Sequence, residues 1–393
     1  MKANYLTNNV NKYNNSSERY KINSYNLYKT KRRKKFKRFS KSLYTIIYRK
    51  VIFIFIIVVS LGILIHQIGH YNIINKIFNF SYKKDKFFFF EKNQDELNYC
   101  KNYGLMVYNY YFNRKIQNEE AANIGDYIQS LASLQFLPKN CKPYLIDRDK
   151  VQFYAGTKVK LIMAGWHCLL NGTHYISSQI DPIFTSYHFN DLNNLPSIYI
   201  ENIKKFAPIG YRDYKTRDAF IKYGIKSYFS GCLTLTLDID YGIDEKDRTN
   251  EIIFVDYKFG EYPRADNFIR SLKAYDFSNI SYTDHHFKLK LTYMERFQLA
   301  KKLLDKYARA KLVITKRLHG ALPCLAFNTP VILINKRFDN DRFKGLYEFF
   351  NTVGINPENK FEIRVNIDDK GFVYNSKKYL EYAQKLKEQL KNV

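Results

Sequence analysis

Hydrophobic residues are distributed along this chain in three regimes. Up to about Ser40 the sequence is polar, rich in Asn and Ser, and nearly every residue from Lys29 to Arg38 is basic. Such a segment buries too little apolar surface to offset the entropy of ordering it, so residues 1–50 are expected to form a disordered arm. Val51 to Ile65 then reads VIFIFIIVVSLGILI, uncharged and with Ser60 as its only polar residue, and the apolar character extends to Ile68. Beyond about Gly104, short apolar runs alternate with stretches whose apolar residues recur every three or four positions.

The strand-like runs are Gly104 to Tyr110, Val159 to Ala164, Ile183 to Tyr187 and Ser227 to Leu237, while Ile124 to Leu137 and Ser197 to Phe206 carry the helical spacing. An acidic, Gly-containing stretch from Asp238 to Asn250 reads as a linker, and Glu251 to Tyr257 opens a second series. There Thr292 and Glu295 have the spacing of a capping box, with Met294, Phe297, Ala300, Leu304 and Tyr307 following on one helical face. Lys311 to Thr315 reads as a strand, Lys316 to Gly320 as a turn, Ala321 to Phe327 as a short helix with Pro323 in its first turn, and Val331 to Asn335 as a strand. This order predicts an α/β fold with two parallel sheets covered by helices, one in residues 99–240 and one in 251–393.

The segment 51–68 predicts a single N-terminal transmembrane signal anchor. It is short for a span, which needs about 17 to 25 residues, and suits a thinner bilayer. It begins far from the N-terminus, and residues 66–75 lack the small-residue pattern of a cleavage site. The preceding basic block keeps the N-terminus cytosolic, so residues 69–98 become a stem and the body is expected on the lumenal or extracytoplasmic side. This type II layout is that of Golgi sugar-modifying enzymes. Asn79, Asn171 and Asn279 each begin an N-x-[ST] sequon on that side.

The formal charge of +27 invites a nucleic-acid reading, yet residues 1–50 hold fifteen Lys and Arg against the single acid Glu18, so about half the excess lies in the arm. No nucleic-acid-reading motif accompanies it, and nucleic acid is excluded as a partner. The five cysteines (Cys100, Cys141, Cys168, Cys232 and Cys324) form no C-x-x-C pair and have no His at metal-ligand spacing. Without a ligand cluster or a dinucleotide fingerprint, no metal or organic cofactor is expected. The odd cysteine count leaves at least one thiol over, and the spacing does not fix the pairing.

The turn after the strand at 311–315 carries the clearest chemistry. Arg317-Leu318-His319-Gly320 places a guanidinium and an imidazole two residues apart at a helix N-terminus, where the dipole favours an anion. Arg suits phosphate or carboxylate, His can move a proton near neutral pH, and Gly320 would let a ligand approach the backbone.

The stretch from Tyr293 to Asn335, containing KLVITKRLHGALPCLAFNTPVILIN, resembles the C-terminal signature of the polysaccharide pyruvyl transferase family, in which R-x-H-G follows an apolar strand. Pro208 to Gly224 (PIGYRDYKTRDAFIKYG) resembles the family's R-[DE]-x-x-[ST] segment, and Ser230 to Leu237 a subgroup variant. Asn123-Ile124-Gly125-Asp126 with Gln129 resembles the glycine-bearing turn after its first strand. The resemblance implies two Rossmann-like domains facing across a cleft, a GT-B-like architecture, with phosphoenolpyruvate as donor and a glycan or polysaccharide as acceptor. It also implies Arg317 and His319 as donor-binding and acid–base residues, with Leu318 and Gly320 beside them. Arg212 becomes a second donor-binding cation and Asp126 a catalytic residue on the acceptor side.

Other readings remain open in the sequence. Arg212 could pair with Asp213 or Asp218, and Asp126 could only complement a helix dipole. Asp284, His285 and His286 form a titratable cluster in an expected loop. Ala164-Gly165-Trp166-His167 stands where many family members have a Gly-rich turn, and its bulk is expected to narrow the cleft. The alternative activity is a nucleotide-sugar glycosyltransferase of the same architecture; a silent membrane-anchored binding protein is the third.

Overall fold

Two six-stranded sheets carry the same strand order. The structure, a computed structural model, describes residues 98–108, 115–116, 119–139, 141–167, 175–189, 195–238, 248–288, 291–338, 342–356 and 358–393, all within the unit Lys83–Val393. The expected arm, anchor and stem lie outside the described residues, as do Asn79, Asn171 and Cys168. Among the described residues no helix is long and apolar enough to cross a membrane.

The first sheet contains β1 (Tyr99–Val107), β4 (Lys142–Asp147), β5 (Val159–His167), β6 (Ile180–Phe189), β7 (Ile209–Tyr211) and β8 (Ser227–Phe229) in the order β4-β1-β5-β6-β7-β8, with all neighbours parallel. The second contains β9 (Ile252–Val255), β10 (Ile280–Thr283), β12 (Leu312–Thr315), β13 (Val331–Arg337), β14 (Asn351–Ile355) and β15 (Phe361–Arg364) in the order β10-β9-β12-β13-β14-β15, parallel except for β15. Each chain path runs to one side of its first strand and then reverses, between β1 and β5 and again between β9 and β12. Such reversals open crevices beyond the carboxyl ends of the strands. β9 (IIFV) and β12 (LVIT) are buried at every position, as strands covered on both faces must be.

Helix α1 (Gly125–Leu134) packs against α5 (Tyr293–Arg309) and α6 (Leu318–Ala326), so the two series meet through helices. The expected capping box forms: Thr292 N–H donates to Glu295 Oε2 at 2.7 Å, and Glu295 N–H donates to Thr292 Oγ1 at 3.3 Å. One turn on, buried Arg296 crosses the seam, donating to the Tyr108 carbonyl at 2.7 Å and the Tyr127 hydroxyl at 3.0 Å. The C-terminal helix α7 (Leu380–Leu390) returns to the first half, packing on the turn Leu233–Thr236, while Tyr103 Oη donates to the Val393 carbonyl at 3.1 Å.

Three local expectations are corrected. The run Ser227 to Leu237 is a strand only to Phe229, because Gly231 takes φ +70° and Leu233–Thr236 closes a 3-10 turn. Lys316 to Gly320 is not a free turn, since α6 already begins at Leu318, and Pro323 therefore lies inside that helix rather than in its first turn. The segment after Asp284 is not a loop throughout. His286–Lys288 (β11) pairs antiparallel with β3 (Glu119–Asn123), which pairs with β2 (Lys115–Ile116) in a small sheet that stitches the halves together.

The N-termini of α1 and α6 meet at a glycine. A Cβ on Gly125 would lie 2.8 Å from His319 Nδ1 and 3.0 Å from His319 Cβ, too close for any ordinary contact. Gly125→Ala is accordingly expected to destabilise the fold by about 1–3 kcal/mol through overpacking. Urea unfolding measures this, and an unchanged midpoint would mean that the two helix ends are not in contact.

Candidate active site

The site is built from strand ends of both sheets. Arg317 follows β12 and Asp256 follows β9, so they meet at the reversal point of the second sheet, with Arg317 Nε donating to Asp256 Oδ2 at 2.7 Å. Burial alone would raise the Asp256 carboxyl, but the hydrogen bond and charge of Arg317, with His285, hold it below the ordinary carboxylate range. Arg317 Nη2 also lies 3.2 Å from His286 Nε2. Arg317, Leu318 and His319 line one cavity of about 180 Å³ together with Asn123, His285, Asn335 and Arg342.

Gly320 does not line it. Its position in α6 is set by packing, since a Cβ there would meet Thr315 Oγ1 at 2.7 Å, and this close fit rather than ligand approach explains the glycine. His319 is buried, with Nε2 at 3.9 Å from Cys232 Sγ. Burial, then the charges of Arg212 and Arg342, then His285 and His188, hold its imidazole well below the ordinary histidine range. In the unliganded protein His319 is neutral at physiological pH.

Arg212, from the end of β7, is fully buried. Its Nη1 donates to Gln129 Oε1 at a long 3.4 Å, while Nε and Nη2 have no hydrogen-bond partner among the described residues. The pairing with Asp213 or Asp218 left open by the sequence does not occur. Asp213 accepts from Thr216 N–H and Thr216 Oγ1, both at 3.1 Å, capping helix α3 (Tyr214–Lys222), and holds His188 Nδ1 at 2.5 Å. Asp218 pairs with Arg217. The R-D-x-x-T segment thus uses Asp and Thr to fix the strand–helix corner that delivers the Arg212 guanidinium to the interior.

Asp126 stands in the first turn of α1, beside Gly125 and hence close to His319. It accepts from Gln129 Nε2 at 3.3 Å and lies 3.9 Å from Arg148 Nη1. Burial works against the Arg148 charge, but Asp126 and Asp149 outweigh it and raise its pKa. Arg148 sits at the reversal point of the first sheet, donating to the Trp166 carbonyl at 3.2 Å, with its guanidinium 5.0 and 5.1 Å from the Tyr108 and Trp166 rings. The bulk of Trp166 therefore covers Arg148, and His167 stacks on Tyr187 at 4.4 Å.

Periodicity and motif reading missed Arg342, His188 and Arg148. Arg342 lines the cavity and is pushed down to about 10 by burial and by Arg212. Among the described residues no group of three His, Cys, Asp or Glu side chains could hold a metal ion. A larger cavity, about 530 Å³, lies at the opposite end of α1 between Gln135, Thr236, Asp238 and α7, and none of its charged residues is buried.

This arrangement coincides with a family pattern: the polysaccharide pyruvyl transferase model matches residues 123–335, more than half of the chain. The chain belongs to the polysaccharide pyruvyl transferase family. It is a transferase whose matched region begins and ends on cavity-lining residues, Asn123 and Asn335, and contains Arg212, Arg317 and His319. No curated protein matches the chain. A solved structure of an uncharacterized protein from Klebsiella pneumoniae aligns over 62% of this chain and 87% of its own, at 15% identity and a TM-score of 0.36.

Two outcomes follow for the unliganded transferase. Arg212→Met removes an uncompensated buried charge and is expected to raise stability by about 1–4 kcal/mol while weakening anion binding; a lower urea midpoint would contradict this. His188 and His285, lowered by burial to about 4 and about 3, join His319 as buried neutral imidazoles. Their unfolded forms take up protons near pH 6.5, so the unfolded state gains as pH falls below that value and stability drops. Between pH 7 and pH 5 the loss should be on the order of 1–2 kcal/mol each for His188 and His285, and urea midpoints that are equal at the two pH values would refute it.

Proposed function

We propose that the transferase moves the pyruvyl group of phosphoenolpyruvate onto two hydroxyls of a hexose in a glycan, forming a cyclic ketal and releasing phosphate. The observation that carries this reading is the fully buried Arg212 guanidinium with two unpartnered nitrogens, close enough to His319 and Arg342 to perturb both. A small, multiply charged anion satisfies such a cluster. The cavity volume supports a three-carbon phosphorylated acid over a nucleotide sugar, since drug-sized ligands occupy roughly 300–1,000 Å³ and this cavity holds about 180 Å³.

Arg317 and Arg342 line the cavity and hold the carboxylate and phosphate of the donor, while the buried Arg212, which does not line it, adds positive charge that stabilises the charge leaving on phosphate. Leu318 supplies the apolar wall. The donor's negative charge offsets the cations that keep His319 neutral, so His319 gains a proton when the donor binds and delivers it to C3 of the enol. An acceptor hydroxyl adds at C2 and yields its proton to Asp126. A second hydroxyl then adds at C2, the bond from C2 to the phosphate oxygen breaks with its electron pair on phosphate, and the remaining proton leaves with it. Neither a metal nor an organic cofactor is needed for this balance.

The same reading places the body lumenally or outside the cell, behind an anchor at residues 51–68. The disulfide between Cys100 and Cys141 supports an oxidising environment.

Incubation of the purified protein with phosphoenolpyruvate and a galactose- or mannose-terminated oligosaccharide should release inorganic phosphate and add a pyruvyl ketal to the sugar, detectable by mass. His319→Ala is expected to slow this by about 100- to 10,000-fold. Wild-type turnover by that variant would remove His319 from catalysis, and transfer from a sugar nucleotide in place of phosphoenolpyruvate would favour the glycosyltransferase alternative.

A further inference from the structure

His285 sits where the two halves are stitched together and lines the cavity that holds Arg317 and His319. Its backbone is fixed on both sides. The His285 N–H donates to Asp256 Oδ2 at 3.1 Å, and its carbonyl accepts from the Ile124 N–H at 2.7 Å. The side chain is buried, with Nε2 at 2.7 Å from Tyr307 Oη and Nδ1 without a hydrogen-bond partner among the described residues.

The tautomer follows from counting unmatched groups. Tyr307 is itself fully buried, and among the described residues its hydroxyl makes no other hydrogen bond. If the hydroxyl donates to Nε2, the ring proton is on Nδ1 and one donor is left unmatched. If instead Nε2–H donates, both the hydroxyl proton and the Nδ1 lone pair are unmatched. Leaving a buried polar group unmatched is costly, so the first arrangement prevails. Burial lowers the imidazole to about 3, with Asp256 opposing and Arg317 and His286 reinforcing, and the ring stays neutral. What remains is a fixed, buried N–H donor on a residue that lines a cationic cavity.

We propose that His285 is a binding residue whose Nδ1–H donates to an anionic oxygen of the phosphorylated acid in this cavity, with Tyr307 as the positioning residue that fixes its tautomer. The inference rests on the donor reading above. A neutral donor adds a hydrogen bond to the anion without adding to the mutual repulsion of Arg212, Arg317 and Arg342.

The test uses the amide substitutions that mimic each ring nitrogen. His285→Asn keeps an N–H near the Nδ1 position, whereas His285→Gln moves it toward Tyr307. Calorimetric titration of the full chain with phosphoenolpyruvate, and separately with inorganic phosphate, should show the Asn variant within about threefold of the parent and the Gln variant weaker by about 10- to 100-fold, the range of a hydrogen bond to a charged group. Tyr307→Phe, which keeps the ring but frees the tautomer, should weaken binding by about 3- to 10-fold, and it decides the matter if thermal unfolding shows the Gln variant misfolded. Equal losses in the Asn and Gln variants, or none in Gln and Phe, would overturn the proposal. A parent that binds inorganic phosphate but not phosphoenolpyruvate would defeat the donor reading, while the phosphate titrations still judge His285. A parent that binds neither defeats both.

Discussion

A guanidinium taken out of water without a counter-ion governs this structure. Arg212 is fully buried, and a charge so placed is strongly unfavourable unless something of opposite sign reaches it. The acids of the site are engaged elsewhere: Asp213 with Thr216 and His188, Asp126 with Gln129 and Arg148, and Asp256 with Arg317 and the His285 backbone. Each carboxylate is tied to the corner of its own strand and helix. The surrounding fold must therefore be stable enough to carry the unmatched cation, and the continuous buried strands and the α1, α5 and α6 contacts provide that stability.

The matching strand orders explain how distant sequence segments come together. In each sheet the reversal point holds an Arg–Asp pair, Arg148 with Asp126 in the first and Arg317 with Asp256 in the second. Both pairs belong to strand-end corners, where helix N-termini leave unpaired N–H groups and a partial positive charge. Because α1 of the first half packs on α6 of the second, two such N-termini meet at the contact of Gly125 with His319. Positive potential thus accumulates from side chains and from backbone at one place, and an anion is the ligand that both sources favour.

The sequence disclosed the parts of this site that are local. An apolar run ending in R-L-H-G announces a strand end and a helix start, and Thr292 with Glu295 announces a capped helix, because caps and burial leave marks within a few residues. The exact start of α6 was hidden by Pro323, which suggested a later helix although the backbone accommodates it internally. His188 lies one residue past the apolar run Ile183 to Tyr187, in a part of β6 where a polar residue carries no signal, and Arg342 follows β13 in a connection without periodicity. The meaning of His285 depends on Tyr307, 22 residues further on, and no spacing rule links them. Long-range pairing and the protonation state it imposes are properties of the packed molecule; His319 read alone is a titratable group near neutrality, and among buried cations it is not.

That last difference bears on how the proposed reaction would be controlled. A protonated imidazole there would add one more cation beside the buried Arg212 and Arg342, raising the energy of the fold. Kept neutral by burial and by Arg212 and Arg342, His319 carries no acidic proton to misdirect. Under the proposed reading an entering phosphorylated acid offsets these positive charges, so the event that fills the cavity also makes it easier for the imidazole to take up a proton. Under the proposed reading, acid catalysis is then available only when the donor is in place, because the charge that enables it is the donor's own.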